Sequence, residues 1–210
     1  SRLGRIPGLE VSGTIRELGE NVTTVTVGQK VAAILPSTGG FAEVVCAPAS
    51  LVAEVPDDLT MDLASVVPIN TVTAHLALTT AIRFVPGESL LIHAGAGGLG
   101  SQFAQVSRAL GAGRIDAVVG TDAKREIALG FGYEHSYLRD DLSAIPGDPY
   151  DIVIDPVGGE ATADAFRVLR SGGRLVRVGN ASQAADVAVN STQHWLQNKT
   201  TAGFNVGAWL

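Results

Sequence analysis

The spacing of apolar positions changes character twice along this chain. Up to about Thr60 apolar residues come in short runs punctuated by turn residues. Val22, Val25 and Val27 lie among threonines, and Gly28 follows as a turn. Residues 30–35 read as a strand that stops at Pro36. Residues 41–46 read as another after the flexible 37–40 turn, and residues 51–55 as a third, closed by Pro56, Asp57 and Asp58. Such strands are too few and too short to stand alone. Around Asp58 the period lengthens: 59–67 and 71–82 read as helices, with Pro68, Ile69 and Asn70 between them. After the Pro86–Gly87–Glu88 turn, strands and helices alternate. Residues 89–93, 115–119, 151–155 and 174–178 read as strands. Residues 122–129 and 160–169 read as helices, the second ended by Gly172 and Gly173. Residues 200–210 read as a last strand, Ala202, Phe204, Val206 and Ala208 alternating against Thr201, Gly203, Asn205 and Gly207. Alternating β and α elements predict an α/β domain with a doubly wound parallel sheet, covered on both faces.

The most informative junction lies at the first of these strands. The apolar run ending at His93 meets the turn Ala94, Gly95, Ala96, Gly97, Gly98, Leu99, Gly100. Leu99, Phe103, Val106 and Leu110 then fall on one helical face. Gly95, Gly97 and Gly100 make G-x-G-x-x-G between a strand and a helix, the context that gives the pattern meaning. The first glycine permits a tight turn, the second lets a pyrophosphate approach the backbone, and the third lets helix and strand pack closely. The helix N-terminus then offers free N–H groups to phosphates. Ligands on such sheets bind beyond the carboxyl ends of the strands. That edge gathers Gly95 to Gly100, Gly120 to Lys124, Pro156 to Gly159 with Val157, and Gly179 with Asn180.

Composition narrows the field. The chain has 210 residues, is 46% hydrophobic and 17% charged, and so can bury a core. A formal net charge of −6 without a basic stripe argues against nucleic acid as a partner. No apolar run reaches membrane-spanning length and no signal peptide opens the chain, so a cytoplasmic location is expected. A single cysteine, Cys46, excludes an internal disulfide and a cysteine-rich zinc lobe.

Four segments then carry a family resemblance. Pro7-Gly8-Leu9-Glu10-Val11-Ser12-Gly13, Thr73-Ala74-His75-Leu76-Ala77-Leu78, the stretch from His93 to Gly100, and Asp155-Pro156-Val157-Gly158-Gly159 occur in the order and spacing of the medium-chain dehydrogenase/reductases. Within them the chain most resembles the quinone oxidoreductase, zeta-crystallin-like, branch. The resemblance implies a partial GroES-like substrate domain over 1–60 and an NADP-binding Rossmann domain over 61–210. It also implies hydride transfer from NADPH to a quinone or an activated alkene. Family members carry further strands before the position of Ser1 and further elements after Leu210. The chain therefore reads as cut at both ends, with an incomplete substrate domain and poor turnover expected of it.

Cofactor choice falls at the end of the second sheet strand. An NAD site needs a carboxylate there, an NADP site a cation. Asp116 opens its strand, at the wrong end. Asp122 could serve a ribose, or could be the N-cap of the helix that follows. Gly120 takes the position nearest the ribose, Thr121 follows it, and Lys124 comes where a phosphate could be met; resembling quinone oxidoreductases carry a lysine at that position. The expected cofactor is NADP(H), although Lys124 and Arg125 also fit a solvated helix face. No metal is expected. Cys46, His75, His93, His135 and His194 lack zinc-ligand spacing; Cys46, in an apolar run, reads as a small core residue, His93 as a packing residue and His75 as a core or interface histidine, and His135 and His194 have no evident partner. Asn70, Thr71 and Thr73 come where the resemblance puts the nicotinamide face, and equally suit helix capping. No catalytic acid stands out: Tyr133 and Tyr137 belong near the third sheet strand, remote from the edge. The reading is an NADPH-dependent, zinc-independent reductase of quinones or α,β-unsaturated carbonyls. An enoyl-thioester reductase and a non-catalytic NADPH-binding regulatory protein are the alternatives. A bare final strand, without proline or charge past Lys199, predicts a homodimer joined from Thr201 to Ala208.

Overall fold

Short, mixed apolar and polar segments on either side of turns make the first sheet. In the computed structural model, which describes residues 6–145 and 149–209, β1 (Glu10–Thr14), β2 (Lys30–Ile34) and β3 (Val52–Glu54) pair antiparallel in that order. Glu10 faces Ile34 and Thr14 faces Lys30 across the first ladder. Val31, Ala33, Ile34 and Leu35 are buried with Val25 and Val55. The strand expected over 41–46 does not form. The N–H groups of Gly40 and Phe41 donate to Gly8 O and Pro7 O, the chain bends directly afterwards, and Phe41 to Val44 are exposed. A strand needs a ladder partner, and two bonds to residues 7 and 8 do not supply one. Strand β1, for which hydrophobic spacing gave no signal, is recruited by β2.

The helices after this sheet are also displaced from their expected bounds. Residues 59–67 give one short turn of helix, α1 (Met61–Ala64), and Pro68 begins α2 (Pro68–Leu76) instead of separating two helices. Proline lacks the N–H that a first-turn residue leaves unused, and its fixed φ suits that position. A π-helical turn, Ala77–Ala81, continues α2.

The chain divides into two compact units. One holds the described residues up to Val72 and from Gly207 on; the other is Thr73–Val206. The second is built on six parallel strands: β4 (Ser89–His93), β5 (Arg114–Val119), β6 (His135–Leu138), β7 (Tyr150–Asp155), β8 (Leu169–Arg177) and β9 (Thr200–Gly203), in the spatial order β6-β5-β4-β7-β8-β9. Between them run α3 (Gly98–Ala109), α4 (Asp122–Gly130), α5 (Glu160–Val168) and α6 (Ser191–Gln197). Leu90 and Ile92 of β4 point into one core with Phe103, Ala128, Ile154 and Tyr133. Leu91 points into the other with Val153, Ala165, Val168 and Leu175. This two-sided burial is why the central strands read as continuous apolar runs. A parallel six-stranded sheet in one unit and a small antiparallel sheet in the other make the α/β architecture expected.

Two boundaries in the second unit differ from expectation. Gly172 and Gly173 do not end α5, which stops at Val168; they sit inside β8. The register jumps there from Tyr150↔Leu169 to Ile152↔Arg174, so 170–173 form a bulge, with Gly172 at φ +80. The last strand is also shorter than 200–210. Strand β9 pairs with β8 only from Thr200 to Gly203, because β8 ends at Arg177. Past it Phe204 N makes one more bond, to Arg177 O, and residues Val206–Ala208 coil into a 3-10 turn. The outer edge of β9 has no neighbouring strand among the described residues.

Candidate functional site

A parallel sheet sends all its carboxyl ends to one edge. The loops after β5, β4, β7 and β8 meet there as neighbours in the sheet order. This brings together Gly95 to Gly100, Gly120 to Lys124, Val157, and Gly179 with Asn180. The sheet order reverses between β4 and β7, the switch point where such folds hold ligands.

The glycine-rich turn is tightly wound. Ala94 takes φ 54, Gly95 N donates to Val118 O at 3.1 Å, and Gly97 N donates to Ala94 O at 2.9 Å. The three glycines differ in what surrounds them. A Cβ on Gly95 would lie 2.6 Å from Ala117 Cβ, and one on Gly100 would lie 2.6 Å from both Ala94 O and Gly95 O. A Cβ on Gly97 would meet only Ala94 O, at 3.2 Å. Gly97 is the N-cap of α3 and no side chain caps the helix. The N–H groups of Gly98, Leu99 and Gly100 have no acceptor within the helix, as in any first turn. The Leu99 side chain and Ala96 pack on the core, so at Gly97 and Gly98, where the turn is exposed, what it turns outward is backbone. Open backbone at a helix N-terminus is a cradle for an anion.

After β5 the chain reaches Gly120, exposed, and then α4. Thr121 is the N-cap of that helix, its hydroxyl accepting from Lys124 N at 3.4 Å. Asp122 is therefore not the N-cap; it occupies the first helical position, 3.4 Å from Arg125. Asp116 is fully buried at the opposite end of the strand, where Arg114 pairs with it at 2.6 Å, Tyr150 Oη donates to it at 2.5 Å and His135 N at 3.1 Å. Burial and this hydrogen bond push the Tyr150 phenol up. Asp116 is thus a structural carboxylate, spent on its neighbours. Arg139, just after β6, was not singled out by sequence. Its Nη2 would lie 3.7 Å from a Cβ on Gly120. Among the described residues of this unit, Arg83, Lys124 and Arg139 are the lysines and arginines whose side chains bond neither a carboxylate nor another protein group. Two of those three lie at the end of β5 and β6.

The β7 and β8 loops lock to each other. Asp155, fully buried, accepts from Val157 N at 2.8 Å, Gly158 N at 2.9 Å and Thr162 Oγ1 at 2.5 Å, and lies 3.4 Å from Arg177 Nε. Ala181 N donates to Pro156 O and Ser182 N to Val157 O, both at 3.0 Å. A Cβ on Gly179 would sit 2.9 Å from Pro156 O, so glycine there serves this close approach. Asn180 Nδ2 donates to Ala184 O. His93 ends β4, 2% exposed, with its Nε2 unpartnered among the described residues. Burial holds its pKa below the ordinary value, against the pull of Asp155 and Asp164.

Tyr133 corrects its expected position. It is buried, and its hydroxyl donates to Gly100 O at 2.7 Å, directly under the turn and not remote from it. Burial raises its pKa. Tyr137 does lie on β6, with Arg114 donating to its hydroxyl at 3.3 Å. On α2, Thr73 is buried and begins the second unit, whereas Asn70 belongs to the first; its Nδ2 reaches Val66 O at 3.5 Å. The first turn of α2 is held by Glu10 of β1, whose Oε2 accepts from Ile69 N at 2.8 Å. Burial raises the Glu10 pKa and this bond lowers it, the first effect prevailing. His75 is exposed, which removes the core half of its expected core-or-interface role. His135 Nδ1 lies 3.3 Å from Asp116, and His194 Nε2 lies 2.9 Å from Thr201 Oγ1. Cys46 is exposed, so it is not the small core residue its apolar run suggested. Among the described residues no three His, Cys, Asp or Glu side chains gather as a metal site, and no helix is long and apolar enough to cross a membrane.

Comparison with known proteins agrees with this geometry. The family described as zinc-binding dehydrogenase matches residues 98–209, and the alcohol dehydrogenase GroES-like domain matches residues 1–57. The polyketide synthase GfsB of Streptomyces halstedii is 35% identical over 84% of this chain, which corresponds to 3% of that protein. A probable quinone oxidoreductase of Schizosaccharomyces pombe is 32% identical over 86% of this chain and 56% of its own length. The crystallised quinone oxidoreductase of Thermus thermophilus, also solved with NADPH, is 32% identical, with a TM-score of 0.77 over 95% of this chain and 61% of that one. The chain thus spans little more than half of its quinone oxidoreductase relatives. With more than half of its residues matched by one dehydrogenase family and its fold shared with those neighbours, the chain belongs to the medium-chain dehydrogenase/reductase superfamily of oxidoreductases.

Proposed function

We propose that this chain is the NADPH-binding part of a zinc-independent reductase acting on quinones or α,β-unsaturated carbonyls. The observation that carries the cofactor reading is the pair Lys124 and Arg139. Arg139 Nη2 would lie 3.7 Å from a Cβ on Gly120, Lys124 follows Gly120 in the first turn of α4, neither side chain bonds a protein group among the described residues, and Asp122 is turned to Arg125. A 2′-phosphate is the group that two free cations at this point of the sheet would receive; a ribose diol would call for a carboxylate. The turn fits the rest of the cofactor. Gly97 leaves the backbone open, and the N–H groups of Gly98, Leu99 and Gly100 would hold the pyrophosphate. Val157, Gly179 and Asn180 would border the cofactor on the other side of the switch point. Asn70 and Thr73 carry their assignment from the resemblance alone. When bound, NADPH supplies a hydride; the protein's share is orientation and exclusion of water.

Calorimetry with NADPH and NADH tests this reading. NADPH should bind at least about tenfold more tightly, roughly 1.4 kcal/mol. Lys124→Ala and Arg139→Ala should each erode that preference while leaving NADH unchanged. Equal affinities in the wild type would overturn it.

The substrate is a quinone or enone on the strength of the quinone oxidoreductase relatives. The match to a polyketide synthase supports a second reading, an enoyl-thioester reductase. Turnover compared between a simple quinone and a crotonyl thioester, in buffer containing a chelator, discriminates the two and tests zinc independence together. A homodimer through the outer edge of β9 is part of the same proposal. That edge is exposed backbone, and a second copy across a two-fold axis would cover it.

A further inference from the structure

Helix α3 is clamped to a loop that no sequence pattern connects with it. The loop is Gly132–Tyr133, between α4 and β6. At its C-terminal end α3 contributes Arg108, whose Nη2 donates to Gly132 O at 2.5 Å. At its N-terminal end α3 offers Gly100 O, which accepts from Tyr133 Oη at 2.7 Å. Two adjacent loop residues thus hold the two ends of one helix. The loop is itself fixed: Phe131 N and Gly132 N close α4 onto Ala128 O and Leu129 O, and Glu134 N donates to Ile115 O of β5. The Tyr133 ring also fills the space beside Gly95, its Cζ lying 3.2 Å from where a Cβ on that glycine would be. One buried side chain therefore touches the first and the third glycine of the turn.

We propose that Tyr133 is a positioning residue for the phosphate-binding turn, setting where the free N–H groups of Gly98, Leu99 and Gly100 point. The inference rests on the NADPH reading above. A helix N-terminus binds an anion only if its donors sit at hydrogen-bond distance and angle, and α3 can slide or rotate over the sheet unless both ends are held. Arg108 holds one end from an exposed position. The Tyr133 hydroxyl holds the end that matters for a ligand, in the core, where solvent cannot compete for it.

Tyr133→Phe is the test, because it keeps the ring and removes only the hydroxyl; Gly100 O keeps its intrahelical donor, so the fold survives. Two ligands separate the turn from the rest of the site: NADPH, and adenosine 2′-phosphate, which has the ribose phosphate but no pyrophosphate. NADPH should bind about fivefold more weakly to the variant, the weight of one hydrogen bond, and adenosine 2′-phosphate the same as to wild type. Hydrogen exchange on the ligand-free protein should be faster at the amides of residues 97–101 in the variant. Unchanged NADPH affinity, or both ligands weakened alike, overturns the inference while the NADPH reading stands, and so does unchanged exchange at the turn. A wild-type chain that binds neither ligand overturns the NADPH reading and this inference with it.

Discussion

The three glycines of the turn should fail in different ways when each is replaced by alanine. On Gly95 the new methyl would lie 2.6 Å from Ala117 Cβ, about 1 Å inside ordinary carbon contact. Ala117 belongs to β5 and cannot withdraw. Overpacking of this kind costs about 1–3 kcal/mol. In a domain of this size that lowers Tm by about 2–12 °C. On Gly100 the methyl would meet two backbone oxygens at 2.6 Å, a similar strain, offset by about 1 kcal/mol because alanine is the better helix former. On Gly97 the backbone stands at φ −86 and ψ 172, open to any residue, and the single contact is 3.2 Å from Ala94 O. The cost there is that of alanine as an N-cap, about 0.5–1 kcal/mol. That methyl would occupy the surface a pyrophosphate approaches, so NADPH affinity should fall by about thirtyfold or more, roughly 2 kcal/mol. Thermal melts and NADPH fluorescence titration of the three variants measure both effects. Gly95→Ala should be the unstable one and Gly97→Ala the stable one that no longer binds. A Gly97→Ala protein that binds NADPH normally, or melts as low as Gly95→Ala, would refute the division of roles.

Two further outcomes follow from the same unit. His93 is kept neutral by burial, whereas the unfolded chain takes up its proton near the ordinary value of 6.5. Its contribution to stability is full above that pH and is lost on acidification, by up to about 1.4 kcal/mol per pH unit. Urea midpoints at pH 7.5 and 5.5 should therefore differ less in His93→Asn than in wild type; an equal difference would show that His93 does not titrate in this way. On the edge strand, Phe204 N points inward to Arg177 O, so by alternation Thr201 and Gly203 point theirs outward. Thr201→Pro removes one outward donor and should convert a dimer to a monomer in light scattering at tens of micromolar, with the circular dichroism unchanged. A wild type that is already monomeric there would refute the edge-to-edge dimer.

Much of the fold was legible because the physics acting on it is local. Apolar runs bounded by Gly87, Pro156 and Gly120 predicted β4, β5 and β7, since a strand buried on both faces has no choice about its residues. The misses share a cause in partners. Residues 41–46 have the composition of a strand and no ladder. Residues 10–14 have little of it and form β1, because β2 lies beside them. The sequence 200–210 alternates throughout, but pairing stops at Gly203, where β8 runs out. Pairing is a property of two segments, and a single segment cannot announce it. Pro68 differs for another reason: its effect on a helix depends on position, and a proline that suggests a break between helices serves equally as a first-turn residue.

The candidate site divides along the same line. Gly95, Gly97 and Gly100 are adjacent in sequence, and the strand-to-helix context gives their spacing its meaning. Arg139 and Tyr133 come from a different strand and its preceding loop. They reach the site only because β6 pairs with β5 and β5 with β4, so that the end of β6 stands beside Gly120 and the loop before β6 passes under Gly100. Nothing in the residues 131–140 taken alone distinguishes a buried tyrosine that props a turn from one that packs a sheet. The signal that could have found them is the crossover rule: a right-handed β-α-β-α-β unit sets three consecutive strands side by side in order. Once β4, β5 and β6 are set in that order, any cation following β6 falls next to whatever follows β5. Lys124 could be read as an exposed helical lysine as long as it stood alone. Beside a second cation that follows the neighbouring strand, it becomes half of the proposed site for a doubly charged group, which neither position suggests by itself.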